Sequence, residues 1–380
     1  MRKAIGALLW LLIAALIPAY AWADASRDGK VNPGNAAYLG VIDPPPPADE
    51  HDPPDGFINE DLPCDPCLYE GEARIIEFFG PLSIVNHSPS NELFLSPLPE
   101  KATVLPAGDS EFMLKLDWVN NIIRELAEGI IVDYDFESVV TTAEYRRGLL
   151  GGEFSARLPL TSRSHGVLDG IIADWHTAFG LKNGHRDILP DYMYHYTIVT
   201  REGLVYNDEG DTAGVGDLAL AYKYPLWNRG EGRDAAAVRA GLKVPVGSPD
   251  KALGSGNWDF QLGALYQRQF GERWRGYVNI DMVVIGAPDW DNVGHQDTLT
   301  TLWAAEYAVT EGTTLVAQYR TQKNALRVGH YEADKDSQEL SLGFNHRLSE
   351  KLIWSGGFSE DINPETAPDF VMMTTLNWDL

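Results

Sequence analysis

Asp369-Phe370-Val371-Met372-Met373-Thr374-Thr375-Leu376-Asn377-Trp378-Asp379-Leu380 ends the sequence, and its alternation decides the fold class. Successive side chains of an extended strand point to opposite faces. Phe370, Met372, Thr374, Leu376, Trp378 and Leu380 therefore share one face, while Met373, Thr375, Asn377 and Asp379 share the other. One face suits lipid and the other water, as in a stave of a transmembrane barrel. The strand reaches the last residue with an aromatic close to its end. That is the form of the C-terminal strands by which outer-membrane barrels are recognised for assembly, so the barrel assembly machinery is an expected partner.

The same period recurs upstream. Phe112, Leu114, Leu116 and Trp118 alternate with Met113, Lys115 and Asp117, and Phe154, Ala156, Leu158 and Leu160 alternate with Glu153, Ser155 and Arg157. Comparable runs start at Gly216, Val238, Trp258 and Trp274, then near Thr298, Thr313, Gln338 and Lys351. With a less regular run from Val139 to Arg147, the count is about twelve, an even number as bacterial barrels require. Short connections (Asn228 to Asp234, Gly271 to Arg273, Glu311-Gly312, Ser349-Glu350) alternate with long polar ones (Gly247 to Gly256, Ala287 to Asp297, Lys323 to Asp336, Glu360 to Pro368). This predicts an all-β, antiparallel up-and-down transmembrane barrel with short periplasmic turns and long external loops. A soluble sandwich or lipocalin-like barrel shares the period. It has no need of aromatics near strand ends, such as Trp118, Tyr222, Tyr224, Trp258, Trp274, Trp303, Trp354 and Trp378.

Composition agrees. Beyond residue 24 no apolar run reaches the roughly 18 residues of a membrane helix. A formal charge of −25 excludes a nucleic-acid binder, because phosphate contacts need a basic face. Arg2 and Lys3, the apolar run Ala4 to Ile17, and the small residues Ala19, Ala21 and Ala23 have the three parts of a secretory signal, with cleavage expected after Ala23. The expected division is a signal peptide over 1–23, a proline-rich extended periplasmic arm over 24–77, and an outer-membrane barrel over 78–380. A partial plug made by the arm is the alternative. Cys64 and Cys67 stand among prolines, and a local disulfide is the expected state in an oxidising envelope compartment. Residues 161–213 exceed a plain loop. Within them Leu168, Ile171, Ile172, Trp175 and Phe179 recur at helical spacing. This amphipathic helix caps the mouth or rests at the membrane boundary, and Tyr192 to Val205 is expected to add a hairpin.

Three segments carry a family resemblance. They are Phe79-Gly80-Pro81-Leu82-Ser83-Ile84-Val85-Asn86-His87-Ser88-Pro89 with Leu116-Asp117-Trp118-Val119-Asn120, then Leu168 to Asn183-Gly184, then Gly214-Val215-Gly216-Asp217-Leu218 with Lys243-Val244-Pro245-Val246-Gly247. Together they resemble an uncharacterised proteobacterial envelope family, domain of unknown function 3187, over about residues 78–380. The resemblance implies an outer-membrane barrel and supplies no catalytic residues.

The inward faces predicted by parity carry Lys115, Asp117, Arg157, Asp217, Lys223, Arg239, Lys243, Asp259, Arg275, Asp281, Glu306, Arg320, Glu339, Arg347 and Asp379. Facing lipid at mid-membrane, each Lys or Arg would cost roughly 2–4 kcal/mol. Two readings follow: a salt-bridged, largely closed interior, or a polar conduit whose charges select solutes. The leading function is a channel or small-solute barrel without covalent chemistry. One alternative is a lipid or lipopolysaccharide hydrolase using Ser164, His165, His176 or His195, although no G-x-S-x-G elbow occurs. Another is an envelope scaffold whose arm binds a periplasmic partner. Asp289-Trp290-Asp291-Asn292-Val293-Gly294 begins like a calcium loop, but Val293 and Thr300 replace oxygen-rich ligands. No metal or cofactor is implied, and the remaining expected partners are outer-membrane lipids and lipopolysaccharide.

Overall fold

The computed structural model describes residues 76–180, 190, 192–362 and 366–380. The expected signal peptide, all of the expected arm over 24–77 except its last two residues, and with them Cys64 and Cys67, lie outside the described residues. In chain order the strands are β1 (Ser110–Ala127), β2 (Ile130–Leu149), β3 (Gly152–Ser164), β4 (His195–Thr200), β5 (Gly203–Asp208) and β6 (Thr212–Val215). Then come β7 (Leu218–Arg229), β8 (Asp234–Val244), β9 (Asp259–Phe270), β10 (Trp274–Val284), β11 (Gly294–His295) and β12 (Thr298–Ala308). The series ends with β13 (Thr313–Gln322), β14 (Leu326–Arg327), β15 (Ser337–Ser349), β16 (Leu352–Asp361) and β17 (Phe370–Asp379).

Among the described residues fifteen of these strands form one sheet, and twelve close it into an antiparallel barrel. Each wall strand pairs with the next wall strand in sequence, and the last seam joins β1 to β17 from Glu111↔Asp379 to Asn120↔Phe370. Those ten positions span about 33 Å along the strand at ~3.3 Å each. At a tilt of about 40° that is about 25 Å of height, the thickness of an outer-membrane apolar belt.

The exterior is correspondingly greasy. Phe260 and Leu262 on β9, Ile280 and Met282 on β10, Trp303 on β12 and Leu342 on β15 are exposed. Their sequence neighbours Gln261, Asp281, Leu302 and Ser341 are buried inside. Short turns gather at the end where β1 starts and β17 finishes, and long connections at the other, apart from the tight β1–β2 turn.

At the loop end β1 and β2 outgrow the wall. Their ladder continues to Ala127↔Ile130, and β4 then β5 add to the outer half of β2. This four-stranded flap shares one apolar cluster with the loops, including Ile123, Val132, Phe136, Tyr196, Tyr206 and Leu326. Tyr206 stacks on Trp290 at 4.9 Å, and the Trp290 indole donates to Pro249 O at 3.0 Å. The acidic loop around Trp290 therefore anchors the flap. Burial pushes the Tyr206 phenol up to about 12, so it stays neutral. The run expected from Val139 to Arg147 is only the lower half of a 20-residue strand.

Helix α1 (Asp169–Phe179) forms as its spacing requires, with Leu168 and Ile172 buried and Ile171 exposed. The turn before it folds onto the outer face of the wall, where the Glu137 carboxylate accepts from Trp118 Nε1 and from the amide of Val167, both at 2.8 Å. The helix thus starts beside the outer wall and leaves Val167 and Ile171 uncovered.

Candidate functional site: the occupied lumen

The stretch before β1 is not wall. Entering at the turn end, where Glu77 N bonds to Glu311 O at 3.5 Å, the chain climbs inside the barrel to a short helical turn at Pro89–Glu92. It then descends to Gly108 and Asp109, which bond to Gly148 beside the first residues of β1. Pro81, Pro89, Pro97, Pro99 and Pro106 punctuate it. Proline lacks a donor, and five within this segment interrupt any continuous ladder. The segment therefore runs extended without becoming a strand.

Its backbone groups, removed from water, still need partners. Wall backbone is already used by the barrel ladder, so wall side chains supply them. Gln318 does so twice at one residue: its Oε1 accepts from Leu82 N at 3.0 Å and its Nε2 donates to Leu82 O at 3.2 Å. Asn279 repeats the arrangement at Glu100, with distances of 2.9 and 3.1 Å. Each amide substitutes for a neighbouring strand.

Charged side chains take further groups. Glu306 accepts from Phe79 N at 2.8 Å and Gly80 N at 3.1 Å, and also from Thr314 and the Tyr277 hydroxyl. Asp259 accepts from Leu95 N, Gln267 from Ala102 N and Glu153 from Leu105 N. In the other direction Lys115 donates to Ser83 O, Lys243 to Leu93 O, Arg157 to Ser96 O and Arg239 to Leu98 O, at 2.7–2.9 Å.

Ion pairs link these groups. Arg239 holds Asp281 through two bonds of 2.6 and 2.7 Å and reaches Glu100 of the inner segment at 3.0 Å. Lys223 bridges Glu100 and Glu153, each at 3.0 Å. Lys243 meets Asp217 at 2.8 Å and Asp259 at 3.1 Å, and Arg320 meets Glu339 at 3.3 Å. At the bend, His87 lies 2.8 Å from Asp117, which Lys115 approaches to 2.6 Å. Arg163 pairs with Glu92 at 2.8 Å beneath the flap, its guanidinium 5.6 Å from the Phe136 ring centre.

Of the charges expected on inward faces, Lys115, Asp117, Lys223, Arg239, Lys243, Asp259, Asp281, Glu306, Arg320 and Glu339 are buried, while Asp379 at the end of β17 is exposed. Arg275 and Arg347 lie near the turn end, against the rings of Phe78 and Phe79 at 4.3 and 5.6 Å. What they face is a protein segment rather than an open bore. Parity reading stopped β3 at Thr161 and so passed over Arg163, which the same alternation places inside. Asn279, Gln318, Gln267 and Asn345 carry no charge, and nothing in sequence separates them from other inward polar residues. Glu92 and His87 belong to the inner segment, which has no period to read.

Apolar contacts to the segment come as separate small groups. Leu82 and Ile84 meet Val119, Val316, Val371 and Met373, while Ala102 meets Ala235, Ala237 and Leu265. Leu93, Phe94 and Leu95 join the flap cluster. Voids of about 90 and about 20 Å³ remain beside the segment.

Among the described side chains, the histidines weighed for hydrolysis have separate partners. His195 bonds to Asp133 at 2.6 Å, and His165 lies 3.8 Å from Asp211 at the surface. Among the described residues no hydrogen bond joins either histidine to Ser164, and the side chain of His176 lies outside the description.

The model of a family of proteins of unknown function, DUF3187, matches residues 71–380. The chain belongs to this family. No curated protein matches it. Among solved structures, the COG4313 outer membrane channel from Pseudomonas putida F1 is similar at TM-score 0.52 and 15% identity, covering 74% of this chain and 99% of that one. The NanC porin gives 0.41 at 7% identity over 71% of this chain and 100% of that one, and the CymD monoaromatic hydrocarbon channel 0.35 at 10% over 72% and 89%. At these identities the first likeness establishes the fold: this DUF3187 member is a closed twelve-strand barrel of the outer-membrane channel type.

Proposed function

We propose that this barrel is a small-solute channel of the outer membrane, without covalent chemistry, and that residues 77–109 are its gate. One observation carries the reading: the inner segment is held by side chains bonded to its backbone, notably Gln318 at Leu82 and Asn279 at Glu100. Water can replace such bonds at a net cost of about 0.5–1.5 kcal/mol each. The segment can therefore shift and be solvated while the wall ladder stays closed. Mixed charge along its path leaves a hydrated route once it moves. Export through the signal at 1–23 and a periplasmic position for the arm complete the proposal.

The test is conductance in planar bilayers. With Cys64 and Cys67 replaced by serine, cysteines at Ser83 and Lys115 are joined by a short bifunctional thiol reagent. The unlinked protein is expected to give step-like currents, and cross-linking is expected to abolish most openings. Currents unaffected by the link would remove the gate from the proposal, and a silent unlinked protein would remove the channel.

A further inference from the structure

The larger void lies at the bend of the inner segment, opposite β2, β3, β7 and β8. Arg157 of β3 borders it and makes one hydrogen bond, from Nη2 to Ser96 O at 2.7 Å. Among the described residues no carboxylate lies within 4.0 Å of this guanidinium. Arginine stays protonated in proteins, and Arg157 is half-buried beside the void, so an anion entering there gains a charge-assisted partner.

The nearby carboxylates have other partners. Glu92 is taken by Arg163, and Asp117 by Lys115 and His87. Asp217 is taken by Lys243 and by the amides of Val246 and Gly247. Glu100 is held by Lys223 and Arg239, and Glu144 by Arg146 at 2.8 Å. The lining also holds Thr142 and Thr161, the apolar Val85, Leu93, Val140 and Leu253, and the charged groups Glu92 and Asp217 with their partners Arg163 and Lys243, beside Lys115 and His87.

A void of about 90 Å³ holds a body of a few carbon atoms. We propose that it binds a small organic carboxylate, whose charged end pairs with Arg157 and whose carbon chain lies against Leu93 and Leu253. The threonine hydroxyls are placed to donate to the same carboxylate. This deepens the channel reading by naming a solute class, and it rests on that reading for the solute's route.

The test is calorimetric titration of the full-length, detergent-solubilised protein with sodium butyrate, butyramide and inorganic phosphate. Butyrate is expected to bind saturably, and butyramide, its uncharged counterpart, at least tenfold more weakly. Arg157→Met is expected to weaken butyrate at least tenfold and Arg157→Lys to restore part of the loss. Equal binding of butyramide by the unaltered protein would overturn the proposal even if Arg157→Met failed to fold. Absence of saturable butyrate binding, or tighter binding of phosphate, would overturn it too. Currents without butyrate binding would sink the site and leave the channel; binding by a protein silent in bilayers would do the reverse.

Discussion

β9 is paired along its length on both sides, to β8 and to β10, and its side chains are left to face lipid or lumen. Between Phe79 and Leu105 the arrangement is inverted. There the backbone is bonded by side chains of the surrounding wall, and the segment adds no strand to the sheet. A ladder is cooperative, since each strand is fixed by two neighbours, and loss of one bond leaves the others aligned. A segment fixed by separate side chains can be released at one point by one substitution. On the proposed gate, wall and inner segment, though covalently continuous at Ser110, should differ in ease of opening.

The largest single effect is expected at Glu306. Its carboxylate gathers the amides of Phe79 and Gly80, the hydroxyls of Thr314 and Tyr277, and Asn345 Nδ2 at 3.4 Å. Glu306→Ala would strand several buried donors, each worth about 1–3 kcal/mol. Labelling of a cysteine at Ser83 by a water-soluble maleimide, in a background lacking Cys64 and Cys67, should then rise on the order of a hundredfold. Electrophoretic migration of the unheated barrel should not change. If migration is lost along with protection, the two regions open together and the distinction fails.

A smaller, purely steric effect is expected at Gly343. A Cβ there would meet Gly356 O at 2.3 Å and Leu82 Cδ1 at 2.8 Å, and one at Gly357 would meet Leu82 Cδ1 at 2.9 Å. These glycines let Leu82 lie close against the wall. Gly343→Ala should displace Leu82 and raise the same labelling by roughly tenfold, the equivalent of about 1.4 kcal/mol. Unchanged labelling would mean that the Leu82 contact does not help to seat the segment.

The wall was legible because it obeys a period. Alternation from Phe112 onward marks which side chains face lipid and gives the strand count, and the turn lengths tell the two ends apart. The inner segment obeys none, since its conformation follows from where Gln318, Asn279 and Glu306 stand on strands far away in sequence. Two hints were nevertheless present. Leu82, Ile84, Val85, Leu93, Phe94, Leu95 and Leu98 are too apolar for a solvated linker, and the density of prolines among them disfavours a continuous wall strand. A buried, extended, unpaired segment is what remains. Inward charge gave no further help, because the same Lys, Arg, Asp and Glu would line a water-filled bore or grip a segment inside it.

Amide hydrogen exchange of the protein in lipid bilayers tests the central claim most directly. Wall amides such as those of β9 and β10 are predicted to exchange only with global opening. Amides from Leu82 to Leu105 should exchange together and at least a hundredfold faster, yet more slowly than in a free peptide. Exchange of the inner segment as slow as that of β9 would contradict the account, because the lumen would then hold a fixed stopper instead of a gate.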